Sequence, residues 1–254
     1  MKKYWLSAFF CALTPLALAQ DLTPGAALYA GVGVWQPEFS GQLGDTDTDL
    51  DDLGFDDTDV NVFYVALEHP VPVLPNVRVE LADIDESAVG TISESFTFEG
   101  VTFDASAEVQ TDIELSYIDA TLYYEVAMFD FGLTFRSLDA SVSAATTDNN
   151  ADFIPQQSVK EEVDGVLPML YGATKIDIPG TGLFITGAVN GISYDDNSVI
   201  DYRIAAGYEM ELSVLASLGA EIGLRNFTIE TSDDEDYQGE IELSGAYARI
   251  NIQF

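Results

Sequence analysis

The chain has 254 residues and a formal net charge of −35 at pH 7, with a sequence pI of about 4.1. That balance argues against nucleic acid as a partner, because phosphate contacts need Lys and Arg in number. A content of 47% hydrophobic residues, with 15 Phe, 12 Tyr and 2 Trp, rules out an acidic disordered chain, which lacks the apolar and aromatic residues to form a core.

The first element in chain order is an export signal. Lys2 and Lys3 precede an apolar stretch, and Ala17-Leu18-Ala19 supplies the small-x-small pattern of a cleavage site. Residues 1–19 are therefore expected to be a signal peptide and 20–254 a single β-barrel domain. Cys11, the one cysteine, lies inside the signal and not just after the cut, so neither lipid attachment nor a disulfide is expected. No later run approaches the roughly 18 apolar residues of a membrane-crossing helix. A soluble exported β protein and a membrane barrel remain.

Ten runs with a period of two follow, at 27–36, 60–68, 76–85, 113–126, 131–138, 166–176, 182–193, 200–209, 215–228 and 241–254. Most exceed the five or six residues usual in globular strands and match the roughly 9–11 of a tilted strand crossing a bilayer. In SYIDATLYYEV, for example, Ile118, Ala120, Leu122, Tyr124 and Val126 oppose Tyr117, Asp119, Thr121, Tyr123 and Glu125. The connections alternate long and short. The long ones are 37–59, 86–112, 139–165 and 229–240, with a short exception at 194–198; the short ones are 69–75, 127–130, 177–181 and 210–214. This sorting is the pattern of an all-β, antiparallel up-and-down transmembrane β-barrel, with long loops at one face and tight turns at the other. Ten strands are expected, with eight or twelve as alternatives. Within 86–112, SFTFEGVTFD reads as a small hairpin standing above the membrane.

The charges are sorted as well. Beyond the signal the basic residues are Arg78, Arg136, Lys160, Lys175, Arg203, Arg225 and Arg249, and all but Lys160 fall in strands. Arg78 shares its strand's polar face with Glu80, Arg203 with Asp201 and Glu209, and Arg225 with Glu221. A barrel lumen would gather these charges, whereas each unpaired charge facing lipid would cost roughly 2–4 kcal/mol. The expected polar network is Arg78, Glu80, Asp119, Arg136, Arg203, Glu221, Arg225 and Arg249. Lys175 shares parity with Met169 and Tyr171, which places it at the rim or implies a one-residue register error. Tyr29, Phe129, Phe131, Tyr171 and Phe227 are candidates for interfacial girdles.

The chain ends SGAYARINIQF, with Phe254, Ile252 and Ile250 at alternate places and Gly245 and Tyr247 before them. This resembles the C-terminal strand of Gram-negative outer-membrane proteins, although Ile252 stands where Tyr is more usual. The whole mature chain resembles the small outer-membrane β-barrel proteins of Gram-negative bacteria, closest in style to a functionally uncharacterised family of this length with acidic loops. The resemblance implies an outer-membrane location. It makes Gly245, Tyr247, Ile250, Ile252 and Phe254 the signal read by the barrel-assembly machinery. It makes membrane lipid and lipopolysaccharide the surroundings, and it implies no particular activity or oligomeric state.

Catalysis is not expected. His69, the only histidine, sits in the HPVPVLPN turn without a Ser-His-acid spacing. No cofactor is expected. Asp45, Asp47, Asp49 and Asp51 alternate like hard oxygen ligands for Ca²⁺ or Mg²⁺, but the sixth place of an EF-hand loop begun at Asp45 is Leu50 and the twelfth is Asp56, so that motif fails. Ten strands make a lumen nearer the filled than the open case. The expected role is structural or that of a narrow channel for a small solute or cation. The alternative is a surface module whose acidic loops bind divalent cations or a basic partner.

Overall fold

The computed structural model describes residues 25–43, 48–49, 58–91, 95–98, 100–105, 107–147, 158–195, 197–231 and 239–254. The expected signal peptide lies outside them. Ten strands form the barrel: β1 (Ala27–Leu43), β2 (Val60–Glu68), β3 (Asn76–Thr91), β4 (Glu108–Val126), β5 (Phe129–Thr146), β6 (Ser158–Asp177), β7 (Leu183–Tyr194), β8 (Asn197–Ser213), β9 (Ala216–Thr231) and β10 (Gly239–Gln253). Each is antiparallel to its chain neighbours, and β10 pairs with β1 from Tyr29–Gln253 to Gln42–Glu240, which closes the sheet. Backbone bonds between Leu28 and Phe254, 2.9 Å in both directions, finish the seam. Closure removes the sheet edge along the paired length of the wall, where the ladder satisfies the strands' backbone groups.

Gly245 permits that closure. A Cβ there would lie 1.8 Å from the carbonyl oxygen of Gln36, so a side chain would force β1 and β10 apart. Five connections lie at one end, and four short turns lie at the other beside the first and last strand ends. His69 holds the turn at 69–75: its backbone N–H donates to Asn76 Oδ1 at 3.0 Å and its Nε2 lies 3.1 Å from the Pro75 carbonyl. The two-residue turn at 127–128 puts Ala127 at φ 61°, in the left-handed region.

Several strands run farther into the long connections than the alternation shows. β5 continues to Thr146, β6 starts at Ser158 and β4 starts at Glu108. The reason is a change in what faces outward. Toward the short turns, successive rungs across β1 to β6 carry Leu28, Leu67, Val77, Leu122, Leu133 and Leu170, then Ala30, Val65, Val79, Ala120, Phe135 and Pro168, then Val32, Phe63, Leu81, Ile118, Ser137 and Val166. The next rung reads Val34, Asn61, Asp83, Ser116, Asp139 and Asp164, and the one above has Asp85, Glu114, Ser141 and Glu162 on β3 to β6. The outer surface passes from apolar to acidic within one rung. The backbone ladder continues, but an apolar outer face no longer marks it.

The inner face changes in the opposite sense. Beside the apolar belt it carries the charged residues; above, it carries Phe39, Val60, Ile84, Ile113, Leu115, Leu138 and Leu243, which pack as one core across the barrel. The small hairpin pairs Phe96–Phe98 with Val101–Phe103 through a turn at Gly100, φ 72°. Its Phe103 is fully buried against Ala107, Val109 and Ala144. Sequence reading places this hairpin above the membrane, where it contributes a side chain to the core at that end. At β7–β8 the wall is lower, because the β6–β7 ladder stops at Leu170–Gly191 while β6 continues to Ser158.

Candidate functional site: the lumen

The eight residues proposed from sequence as a polar network all lie inside the barrel at the level of the apolar belt. The alternation that puts Val77, Val79 and Leu81 outside puts Arg78 and Glu80 inside, and the same geometry turns in Asp119, Arg136, Arg203, Glu221, Arg225 and Arg249. They meet in three connected groups. Arg136 donates to both oxygens of Asp119 at 2.7 Å and to Asp201 at 2.6 Å, and Arg225 grips Asp201 from the other side at 2.9 and 2.6 Å. Glu80 accepts from Arg78 at 2.6 Å and from Arg203 at 3.2 and 3.3 Å, and lies 3.7 Å from Arg225. Glu221 accepts from Arg249 at 2.5 Å and from the Tyr247 hydroxyl at 3.1 Å.

Shared polarity on one strand gives one pair, Arg78 with Glu80, but not the others. Arg203 pairs across the lumen with Glu80 and not with Asp201 or Glu209 of its own strand, and Arg225 pairs with Asp201 and not with Glu221. Asp201, outside the proposed network, is a hub between two arginines. In a closed barrel, side chains of opposite walls meet, and alternation along one strand carries no information about the far wall.

Aromatic rings separate the ion pairs. The Arg78 and Arg249 guanidinium carbons lie 4.1 and 4.6 Å from the centre of the Tyr64 ring. Arg136 lies 4.3 Å from Tyr117 and 5.0 Å from Phe227, and Arg225 lies 4.8 Å from Trp35. These contacts add cation–π attraction and exclude water. Gly31 makes room for Tyr64, since a Cβ there would lie 2.2 Å from the ring. Toward the short turns, Glu68 accepts from Tyr29 at 3.0 Å and from Tyr123 at 2.9 Å.

One sequence expectation is corrected, and Lys175 is found at the rim. Tyr29 hydrogen-bonds inward, Tyr171 and Phe227 are buried in the lumen, and only Phe129 and Phe131 of the proposed girdle face out. The small barrel needs bulky inner side chains, and parity alone does not separate a ring filling the lumen from one facing lipid. Lys175 keeps the parity of Met169 and Tyr171, but that parity is the inner one. Lys175 pairs with Glu209 at 2.6 Å and lies 4.7 Å from the Phe184 ring, at the short-turn mouth of the lumen.

Gly245 and Tyr247 of the terminal strand face inward at the β1–β10 seam, and Ile250 faces outward. Phe254 is joined to Leu28 through its backbone, and Ile252 pairs with Ala30 and Leu218. Asp45, Asp47 and Asp51 lie outside the described residues. Of Asp49 only the backbone is described, pairing with Gln42. On the acidic outer wall, Asp112 accepts from Ser87 at 2.6 Å and from Gln110 and Ser143, and these hydrogen bonds hold its carboxyl below the ordinary value. Among the described residues no cluster of three or more His, Cys, Asp or Glu has the geometry to hold a metal ion.

These features define a closed, ten-stranded antiparallel β-barrel with an apolar outer belt and an interior occupied by paired charges and aromatic rings. No protein-family model matches the sequence, and no curated protein matches it. Among solved structures, the chain is similar to the outer membrane protease OmpT from Escherichia coli, with 9% identity, coverage of 93% of this chain and 99% of that one, and a TM-score of 0.44. It is also similar to the β domain of the Bordetella autotransporter BrkA, with 9% identity, coverage of 91% and 99%, and a TM-score of 0.39. For the P. putida toluene transporter TodX the values are 7%, 94% and 92%, and 0.32. All three are distant in sequence and superposition, so function is argued from this chain's own residues.

Proposed function

We propose that this protein is a structural barrel of the Gram-negative outer membrane that spans the bilayer with a closed lumen and carries an acidic wall above it. The observation that carries the reading is the layered filling of the interior. Paired arginines and carboxylates occupy the belt level, and an apolar core with Trp35, Ile84 and Leu115 lies above them. A water path through the belt would have to pull apart buried ion pairs, at several kcal/mol each. The reading includes no catalytic step, since His69 is engaged in its turn.

Reconstitution in a planar bilayer tests this directly. The expected result is no steady conductance. Ohmic conductance that Arg203→Gln and Arg225→Gln alter would replace the structural reading with that of a narrow channel. Fractionation tests location: the protein should migrate heat-modifiably on a denaturing gel and partition with the outer membrane, and a soluble periplasmic pool would overturn the reading.

The acidic outer rungs favour a second reading, a surface that gathers divalent cations just above the lipid. Asp83, Asp139 and Asp164 on one rung, with Asp85, Glu114 and Glu162 on the next, supply hard oxygen ligands toward water. Calcium titration of the full chain checks it. Binding that is abolished by moderate sodium chloride would reduce it to a diffuse ion atmosphere.

A further inference from the structure

The ionic network has a surplus. Arg78, Arg136, Arg203, Arg225 and Arg249 bring five positive charges, against four negative ones from Glu80, Asp119, Asp201 and Glu221. Toward the short-turn mouth Lys175 pairs with Glu209, and Glu68 and Asp130 add negative charge of their own, so the excess is local to the ion-paired arginines.

Beside it lies a cavity of about 20 Å³, lined by Gly33, Trp35, Glu80, Arg203, Arg225 and Arg249 among others. That volume is enough for a water-sized body. Two lining residues carry a buried polar atom without a hydrogen-bond partner, Trp35 Nε1 and Arg249 Nε. Trp35 is fully buried, and the Arg249 side chain is 10% exposed. Both atoms are donors and nothing else, so the missing occupant must accept. A buried donor without an acceptor is destabilising, so an accepting occupant is favoured.

We propose that the cavity binds one monatomic anion, a halide such as chloride, held by the indole N–H of Trp35 and the guanidinium of Arg249, with Arg203 and Arg225 supplying the attraction. A water molecule would meet the two donors, but the charged side chains lining the cavity are three arginines and one carboxylate, a setting that favours an anion. A halide meets both requirements. It would complete the belt-level layer as a structural ion.

The test uses the folded full chain in detergent, with urea unfolding followed in sodium chloride, sodium bromide and sodium gluconate at equal ionic strength. A ligand bound only by the folded state raises the midpoint saturably, so chloride and bromide should raise it and gluconate should not. Trp35→Phe keeps an aromatic ring and removes the N–H; it should raise the half-saturating halide concentration roughly tenfold. Crystals grown in bromide should show an anomalous peak in the cavity, and this measurement stands even if Trp35→Phe fails to fold. Equal midpoints in the three salts, a halide effect that Trp35→Phe leaves unchanged, or water alone in the cavity would each overturn the proposal.

Discussion

The two halves of the barrel wall are built on opposite rules. Beside the short turns the outside is apolar and the inside is ionic; beside the long connections the outside is acidic and the inside is apolar. β3 shows the change along its own sequence. In VRVEL, the residues Val77, Val79 and Leu81 face out while Arg78 and Glu80 face in. In ADID, Asp83 and Asp85 face out while Ala82 and Ile84 are buried. The backbone alternates without interruption, but the polar set changes sides. β4 does the same between Ile118 and Ser116, and β5 between Phe135 and Asp139. One continuous sheet therefore has an apolar outer belt at one end and an acidic, water-facing wall at the other. Under the proposed function, the rung where the polarity crosses over is the bilayer surface.

The contrast is broken most strongly from inside the belt. Asp201→Asn leaves Arg136 and Arg225 without their shared carboxylate in a water-excluded layer. Breaking a buried pair in this way should cost roughly 3–5 kcal/mol, read as a lower urea midpoint in detergent. Glu162→Gln, on the exposed outer wall, removes the same charge and should change stability by less than about 0.5 kcal/mol. Similar losses from the two variants would mean that the interior is hydrated and the layers are not distinct.

In the upper half the core is apolar, and there cavity creation is the sensitive change. Leu115→Ala, inside that core, should cost roughly 2–5 kcal/mol. Leu122→Ala on the belt faces lipid, which flows into the vacated space, so its loss should be clearly smaller. Comparing the two midpoints measures how tightly the upper core is packed. Placement of the bilayer surface can be sharpened with one side chain at two heights. Leu133→Arg in the belt should destabilise by roughly 2–4 kcal/mol in lipid. Asp139→Arg, three rungs up on the same outer face, should be nearly neutral because it meets water and the neighbouring Asp164.

The sequence was most legible where the outer face is apolar. Alternation in the belt, the sorted connections and the inward charges were enough for an up-and-down barrel of ten strands, and strand ends at the short turns agree to within two residues except at β8, which runs four residues past 209 to Ser213. Legibility failed at the crossover. Runs such as 76–85 and 131–138 stop where outward residues turn polar, although hydrogen bonding carries β3 on to Thr91 and β5 to Thr146. The upper inner face does alternate, as Leu138, Ala140 and Val142 of β5 show, but in a phase opposite to that of the belt, so a search for one continuous amphipathic face divides the strand from its extension. Partner choice in the lumen was legible only for Arg78 and Glu80, two places apart on β3. Asp201 meets Arg136 across 65 positions of sequence, and only closure of the barrel brings them together.

A smaller effect, and one of opposite sign, belongs to the turn that joins β4 to β5 at the foot of the belt. Ala127 holds φ 61° there, a conformation in which Cβ crowds the following carbonyl. The turn has only two residues, so it cannot relax without shifting the Val126–Phe129 rung and the ion pair between Asp119 and Arg136 farther up the same two strands. Ala127→Gly removes the crowding but adds freedom to the unfolded chain, and the two effects oppose each other. With strain of roughly 1–2 kcal/mol against an entropy loss of roughly 0.4–1 kcal/mol, the net expectation is a gain of up to about 1 kcal/mol. A raised urea midpoint with an unchanged slope would show that the belt tolerates a relaxed turn. A lowered one would show that the ionic layer depends on the strained residue to hold β4 and β5 in register.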